Sequence, residues 1–75
     1  MALLPVVRGH EAIRAFARAG FNLDHWRGDH AILYHPDGRH LSVPGGGKEL
    51  KPGTLRALIR GAGLTVEEFV TLLRE

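Results

Sequence analysis

Several residue types are missing or scarce in this sequence, and each shortage removes a class of protein. Cysteine is absent, which excludes disulfide-stapled secreted folds and thiolate metal sites. Long apolar runs are also lacking. Pro5 interrupts the apolar start of the chain, Met1–Arg8, and no apolar stretch is as long as a membrane span, which needs about 18 residues. We therefore expect no signal peptide and no membrane association, and we predict a cytoplasmic protein.

The length and composition predict one globular domain. The chain has 75 residues, of which 44% are hydrophobic and 24% are charged, an ordinary globular balance rather than a disordered one. Domains usually contain about 100–150 residues, so there is no room for two. We predict that residues 1–75 form a single domain.

Positive charge is unevenly distributed along the chain. The formal net charge is +2, but residues 66–75 are net acidic and the remaining residues are correspondingly more basic. Arginine, which binds phosphate in a bidentate manner and stacks on bases, supplies most of the basic side chains. This pattern favours a polyanionic partner such as RNA, although arginine-rich composition is also found in thermally robust enzymes.

The spacing of apolar residues predicts a helix followed by three strands. The helix covers residues 9–19, with Ile13, Phe16 and Ala17 on its apolar side and Gly20 at the left-handed position that ends it. Three strands separated by turn residues are predicted over residues 21–27, 30–35 and 39–43.

Side-chain alternation predicts which residues of the first strand share a face. Phe21, Leu23 and His25 are expected on one side, as in a half-buried strand. Gly28-Asp29 and Pro36-Asp37-Gly38 are turn sequences, so the three strands are expected to form an antiparallel meander.

Two further helices are predicted after the strands. Pro52 suits the first turn of one helix, which Gly61 and Gly63 end, and Thr65 and Glu68 form a capping box for the other. Their apolar stripes consist of Leu55, Leu58, Ile59 and Ala62, and of Val66, Phe69, Val70 and Leu73. The order α-β-β-β-α-α predicts an α+β fold in which helices cover one face of a three-stranded antiparallel sheet. The other face is left to solvent or to a partner.

Histidine supplies most of the candidate catalytic and metal-binding groups in this sequence. His25, His30, His35 and His40 are spaced by five, which suggests a metal cluster. However, His30 and His35 on one strand point in opposite directions, and neither a helical histidine pair nor cysteine is available. We predict no metal site and interpret most of these histidines as surface residues of the sheet.

His30 differs from the others in its position. It follows the turn Gly28-Asp29 and therefore lies at the edge of the sheet. An imidazole titrates near neutral pH and can remove the proton of an RNA 2′-hydroxyl, which then attacks the adjacent phosphate. From residue type alone, an ordinary polar residue at the start of a strand is the commoner interpretation.

The glycine-rich segment Gly45–Lys48 is similar to a phosphate-binding loop, but Glu49 stands where such a loop needs Ser or Thr, and the spacing is wrong. Nucleotide binding is excluded on these grounds. Lys48 and Lys51 could still contact an RNA phosphate, or the segment could be a plain linker.

Two aromatic residues are candidates for stacking on bases. These are Trp26 and Tyr34. In a small domain such residues are more often half-buried in the core, and we predict that position for Trp26.

Several short motifs, taken in order, resemble one family. They are Ala19-Gly20-Phe21, Arg27-Gly28-Asp29-His30, Tyr34-His35-Pro36-Asp37-Gly38-Arg39, Val43-Pro44, Lys48-Glu49-Leu50, Pro52-Gly53-Thr54-Leu55-Arg56 and Ala62-Gly63. The set resembles the HicA (YcfA-like) family of bacterial toxins over about residues 9–73. The resemblance implies a fold like the double-stranded RNA-binding domain, with an extra short C-terminal helix. It also implies a ribosome-independent mRNA interferase, which is an endoribonuclease that needs neither a metal nor a cofactor. Such a toxin is neutralised by a HicB-like antitoxin.

The resemblance also implies particular site residues. His30 corresponds to the histidine of the family's Gly-Ser-His motif and is the expected catalytic general acid/base. Arg27, Arg39, Lys48 and Lys51 are the candidate RNA contacts. Asp29 replaces the serine of that motif, and Gly46 stands where members often carry a second histidine. These two departures leave open a non-catalytic RNA-binding module of the same fold.

Overall fold

Three helices and three strands occur in the order predicted from the sequence. The structure is a computed structural model that describes residues 3–75. The elements are α1 (Gly9–Arg18), β1 (Asn22–Arg27), β2 (His30–Tyr34), β3 (His40–Pro44), α2 (Pro52–Gly61) and α3 (Val66–Arg74). The predicted α-β-β-β-α-α layout with a three-stranded antiparallel sheet is confirmed, and only the ends of the elements differ from the predicted bounds. No helix in this part of the chain is long and apolar enough to cross a membrane.

The sheet is a simple meander in which β2 is the central strand. Its order is β1-β2-β3, and both pairs are antiparallel. Directly paired residues lie on the same face of a sheet. Ala31 and Leu33 of β2 are buried and pair with Val43 and Leu41 of β3, so these residues mark the face that the helices cover.

The core lies between this face and the helices, and three phenylalanines dominate it. Phe16 of α1, Phe21 before β1 and Phe69 of α3 are at most 1% exposed. The ring of Phe16 lies 6.2 Å from that of Phe21 and 5.1 Å from that of Phe69, measured between centroids. The prediction that Ala17 belongs to the apolar side of α1 is wrong: Ala17 is exposed, whereas Ala12 and Ala15 are buried. The small alanine side chains allow α1 to approach both α3 and β3 closely.

The last two helices match their predicted stripes. Leu55, Leu58, Ile59 and Ala62 are buried; in α3, Phe69 is buried and Val66, Val70 and Leu73 are partly buried. The capping box is present, because the Glu68 backbone N–H donates to Oγ1 of Thr65 (3.1 Å) and the Thr65 N–H donates to Oε1 of Glu68 (2.8 Å).

A β-bulge in β1 changes which side chains share a face. Leu23 pairs with Leu33 and His25 pairs with Ile32, so Asp24 is an extra residue with no partner in the ladder. One extra residue inverts the alternation beyond it. The prediction that His25 lies on the same side as Leu23 is therefore wrong, and His25 lies on the face opposite the core.

The same bulge brings Trp26 to the helix side of the sheet, opposite Ala31, but not into the core. Its side chain is 52% exposed, so the predicted half-buried core position is wrong. The physical reason is that β1 is an edge strand, whereas the strand that α1 and α2 chiefly contact is β3. The indole ring instead lies against the backbone of Gly45, where a Cβ atom would come within 2.5 Å of Cζ3.

Candidate functional site

One face of the sheet is turned away from the helices and is called the outer face here. It consists of Asn22, His25, Arg27, His30, Ile32, Tyr34, His40, Ser42 and Pro44, which pair with one another across the three strands. Most of these residues are exposed, whereas Ile32 at the centre is only 8% exposed because its neighbours cover it. The open face predicted from the sequence therefore carries three of the five histidines.

His30 lies at one end of this face. It is the first residue of β2 and pairs with Arg27 on one side and Pro44 on the other. The turn between β1 and His30 favours glycine, because Gly28 has a φ of 60°. With its proton on Nδ1, His30 donates a hydrogen bond to Oδ1 of Asp29 (2.9 Å). This bond orients the ring, and 44% of the side chain remains exposed.

The segment that follows β3 is fixed beside His30. The Gly45 N–H donates to the Asp29 carbonyl (2.8 Å), and the Leu50 N–H donates to the Val7 carbonyl (2.8 Å). The carbonyl of Gly46 accepts from the ring and the backbone N–H of His10 (2.9 and 3.1 Å). Residues 45–50 are therefore fixed at one end to the turn before β2 and elsewhere to the residues at the start of α1, rather than forming a plain linker.

This segment forms one wall of a cleft of about 300 Å³ at the His30 end of the sheet. The cleft is lined by Asp29, Pro44, Gly45, Lys48, Glu49, Leu50, Lys51 and Thr54. Lys48 and Lys51 come from the chain between β3 and α2, whereas Asp29 comes from the turn before β2. Lys48 and Lys51 thus line the cleft together with Asp29, and Arg27 pairs with His30 at the same end of the sheet.

Arg39, the fourth basic residue predicted to contact RNA, lies at the other end of the sheet, next to the Tyr34–His40 pair. Its Nε donates to Oδ2 of Asp37 (2.8 Å), and a terminal nitrogen donates to the carbonyl of Ala62. The hydrogen bonds that the Arg39 side chain and backbone N–H donate to Asp37 lower the pKa of that carboxyl to about 2. The guanidinium also lies 5.3 Å from the centre of the Phe21 ring. Arg39 therefore links the second turn to α2.

The remaining histidines occupy different environments. The His35 ring packs edge-on against Phe21, 5.1 Å between centroids, and the His40 ring stacks on Tyr34 at 5.7 Å. His25 has a partner of the same kind as His30: with its proton on Nδ1, it donates to Oδ2 of Asp24 (2.6 Å). Sequence reasoning did not single out His25, although the repeated Asp-His doublet was a visible signal.

The other features of the surface carry no comparable chemistry. No group of three or more potential metal ligands comes together anywhere in residues 3–75. A larger hollow of about 380 Å³ lies between the end of α1 and α3 and is lined by Ala19, Leu64, Glu68, Thr71 and Leu72. Its one ionisable side chain, Glu68, is already bonded within the capping box of α3.

A family model described as the HicA toxin of bacterial toxin-antitoxin matches residues 9–64. The matched segment contains α1, the whole sheet and α2, together with His30 and the lysine-lined cleft, and it ends before α3. No curated protein matches the chain.

Proposed function

Because this chain belongs to the HicA toxin family of bacterial toxin–antitoxin systems, we propose that it is a metal-independent endoribonuclease that cleaves mRNA. In this proposal it works in the cytoplasm and is held inactive by a HicB-like antitoxin. The observation that carries the proposal is the His30 ring, whose side chain is 44% exposed, bonded through Nδ1 to Asp29 and paired with Arg27 across the strands.

The proposed reaction needs only groups that lie at this end of the sheet. Nε2 of His30 removes the proton from an RNA 2′-hydroxyl, and the 2′-oxygen attacks the neighbouring phosphorus. A positioned general base contributes about 10²–10⁴-fold to such a step. Cationic side chains nearby stabilise the negative charge that develops on the phosphate, so the chemistry requires no metal ion.

RNA binding is assigned to the three basic residues at the His30 end. Arg27 pairs directly with His30 across the strands, and Lys48 and Lys51 line the adjacent cleft. Contacts of this kind fix the position of the phosphate backbone without reading base sequence. In this proposal Arg39 stabilises the fold instead, because its guanidinium is bonded to Asp37 and Ala62 at the far end.

The test compares His30→Ala with His40→Ala. His40 is a matched control because it is an exposed histidine on the same outer face, at the end of the sheet far from Arg27. Cleavage of a single-stranded RNA is measured on gels, binding of the same RNA by fluorescence anisotropy, and folding by thermal melting. We expect His30→Ala to lose about 10²–10⁴-fold in cleavage rate while binding and melting stay unchanged.

Three outcomes of this experiment are informative. Cleavage by His30→Ala at the wild-type rate would contradict the assignment of His30. Wild-type protein that binds RNA but cuts none would favour the non-catalytic RNA-binding module, with Asp29 and Gly46 as the suspected causes. Addition of a chelator should leave the wild-type rate unchanged, and a loss of rate would contradict the metal-independent mechanism.

A further inference from the structure

The outer face carries two Asp–His pairs of the same construction. In each, the aspartate directly precedes the histidine and one of its carboxylate oxygens accepts from Nδ1, at 2.6 Å for Asp24–His25 and 2.9 Å for Asp29–His30. Both histidine side chains are 44% exposed. Each ring is therefore oriented by its neighbour, with Nε2 left for a bound molecule.

The β-bulge brings the two rings together. His25 pairs with Ile32, and His30 lies two residues before Ile32 on the same face of β2. Diagonal neighbours of this kind are about 7–8 Å apart between Cα atoms, within reach of long side chains. If β1 paired regularly, Asp24 would lie opposite Ile32, and His25 would lie opposite Ala31 on the side that faces the helices. The bulge thus places a second imidazole beside the proposed catalytic one.

Cleavage of RNA by its own 2′-hydroxyl requires two proton transfers. The attacking and leaving oxygens lie roughly in line on opposite sides of the phosphorus. One group must accept a proton on the attacking side, and another must donate a proton on the leaving side. Each needs a hydrogen bond of about 2.6–3.2 Å to its oxygen, so two groups on either side of the phosphate suit the reaction better than one.

We propose that His25 is the general acid of this reaction, an inference that rests on the function proposed above for His30. Nε2 of His30 accepts the 2′-hydroxyl proton while the 2′-oxygen forms its bond to phosphorus. The bond between phosphorus and the 5′-oxygen breaks, and protonated His25 gives its Nε2 proton to that oxygen. The products are a 2′,3′-cyclic phosphate and a 5′-hydroxyl, and proton exchange with water restores both rings.

The carboxylate of Asp24 supports this role. In the protonated ring both nitrogens carry hydrogen, and Oδ2 of Asp24 accepts the one on Nδ1. The transferable proton is then on Nε2, and the negative charge of Asp24 lies next to the positive ring. His40 shares the outer face, but its ring stacks on Tyr34 and is not oriented by an aspartate.

The decisive experiment uses two RNA substrates that differ at one atom of the mapped cleavage site. One is ordinary RNA, and in the other sulfur replaces the 5′-oxygen that leaves. A thiolate is a much better leaving group than an alkoxide and needs no proton donor. We expect His25→Ala to lower kcat on ordinary RNA by about 10²–10⁴-fold relative to wild type. On the sulfur substrate most of this difference in kcat should disappear. His30→Ala should stay slow on both, and His40→Ala should match wild type on both.

The outcomes separate this inference from the function on which it rests. If His25→Ala cuts ordinary RNA as wild type does while His30→Ala is inactive, the inference is wrong and the proposed function stands. If His25→Ala is slow but not rescued by sulfur, His25 is not the proton donor and the inference is again wrong. If wild type cuts neither substrate, the proposed function itself fails. Unchanged melting of His25→Ala and of a second variant, His25→Gln, shows that any loss is not a loss of folding.

Discussion

Asp29 is the residue that orients the ring of the proposed catalytic histidine. Its Oδ1 accepts from Nδ1 of His30 at 2.9 Å, so Asp29→Ala removes the group that orients the ring. A hydrogen bond to a charged group contributes about 1.5–3 kcal/mol when it is shielded from water. The Asp29 side chain, however, is 89% exposed, and exposed ion pairs contribute only about 0.2–1 kcal/mol. The upper end of that range corresponds to about fivefold in rate.

We therefore expect Asp29→Ala to lower kcat by about 1.4- to fivefold, and no further because the imidazole itself remains. KM should fall as well, since the carboxylate lines the cleft together with Lys48 and Lys51 and repels the phosphate of the substrate. Steady-state kinetics on a mapped RNA substrate separates the two effects. Asp29→Asn keeps an acceptor oxygen but loses the charge, so its kcat should lie between those of wild type and the alanine variant.

Glu49→Gln is the matched control for this experiment. Glu49 is a second carboxylate in the same cleft, but it makes no hydrogen bond to His30. Its removal should lower KM without changing kcat. A loss of about 10²–10⁴-fold in Asp29→Ala would mean that Asp29 transfers the proton itself, and an unchanged kcat would mean that the ring needs no orienting carboxylate. Either result would refute the reasoning.

Three further predictions concern binding and stability. RNA affinity should fall as the salt concentration rises. Lys48→Ala and Lys51→Ala should each reduce the slope of log affinity against log salt concentration by about 0.7 in anisotropy titrations. An unchanged slope would mean that the lysine contacts no phosphate. Phe69→Ala should cost about 3–5 kcal/mol in urea unfolding, because the ring is 0% exposed; an unchanged midpoint would make α3 a docking surface rather than part of the core. Asp37 has its pKa lowered from 3.8 to about 2, chiefly by the Arg39 side chain, so its contribution to stability is present above pH 3.8 and disappears as the pH falls through 2. The melting temperature of Asp37→Asn should thus lie below that of wild type at neutral pH and converge with it in acid, and a constant difference would contradict the ion pair.

Local sequence patterns were sufficient for most of the fold. Gly20 and Gly38 adopt positive φ of 98° and 99° at the predicted helix end and turn, because these positions need backbone conformations that other residues rarely adopt. The Thr65–Glu68 capping box forms as its spacing requires. Each of these features depends on residues within a few positions of one another, which is why the sequence alone predicts them.

The composition of the candidate site could be predicted only in part. His30 follows a turn signal, and its position at the start of β2 agrees with the prediction. Lys48 and Lys51 were recognised as basic, but their place in one cleft with Asp29 depends on backbone bonds such as that from Gly45 to the Asp29 carbonyl. Arg39 looked equivalent to them in sequence. Its bond to the carbonyl of Ala62, which lies 23 residues away along the chain, holds it at the other end of the sheet.

The sequence by itself determined the kinds and order of the elements, the apolar stripes of the last two helices and the presence of a histidine at the start of the central strand. Tertiary structure alone decided which side chains share the outer face. That decision rests on the bulge at Asp24, where pairing with β2 leaves one residue over and reverses the alternation for His25 and Trp26. Strand register is set by contacts between separate segments, and a shift of one residue moves a side chain to the opposite face of the sheet. No local pattern in β1 carries that information.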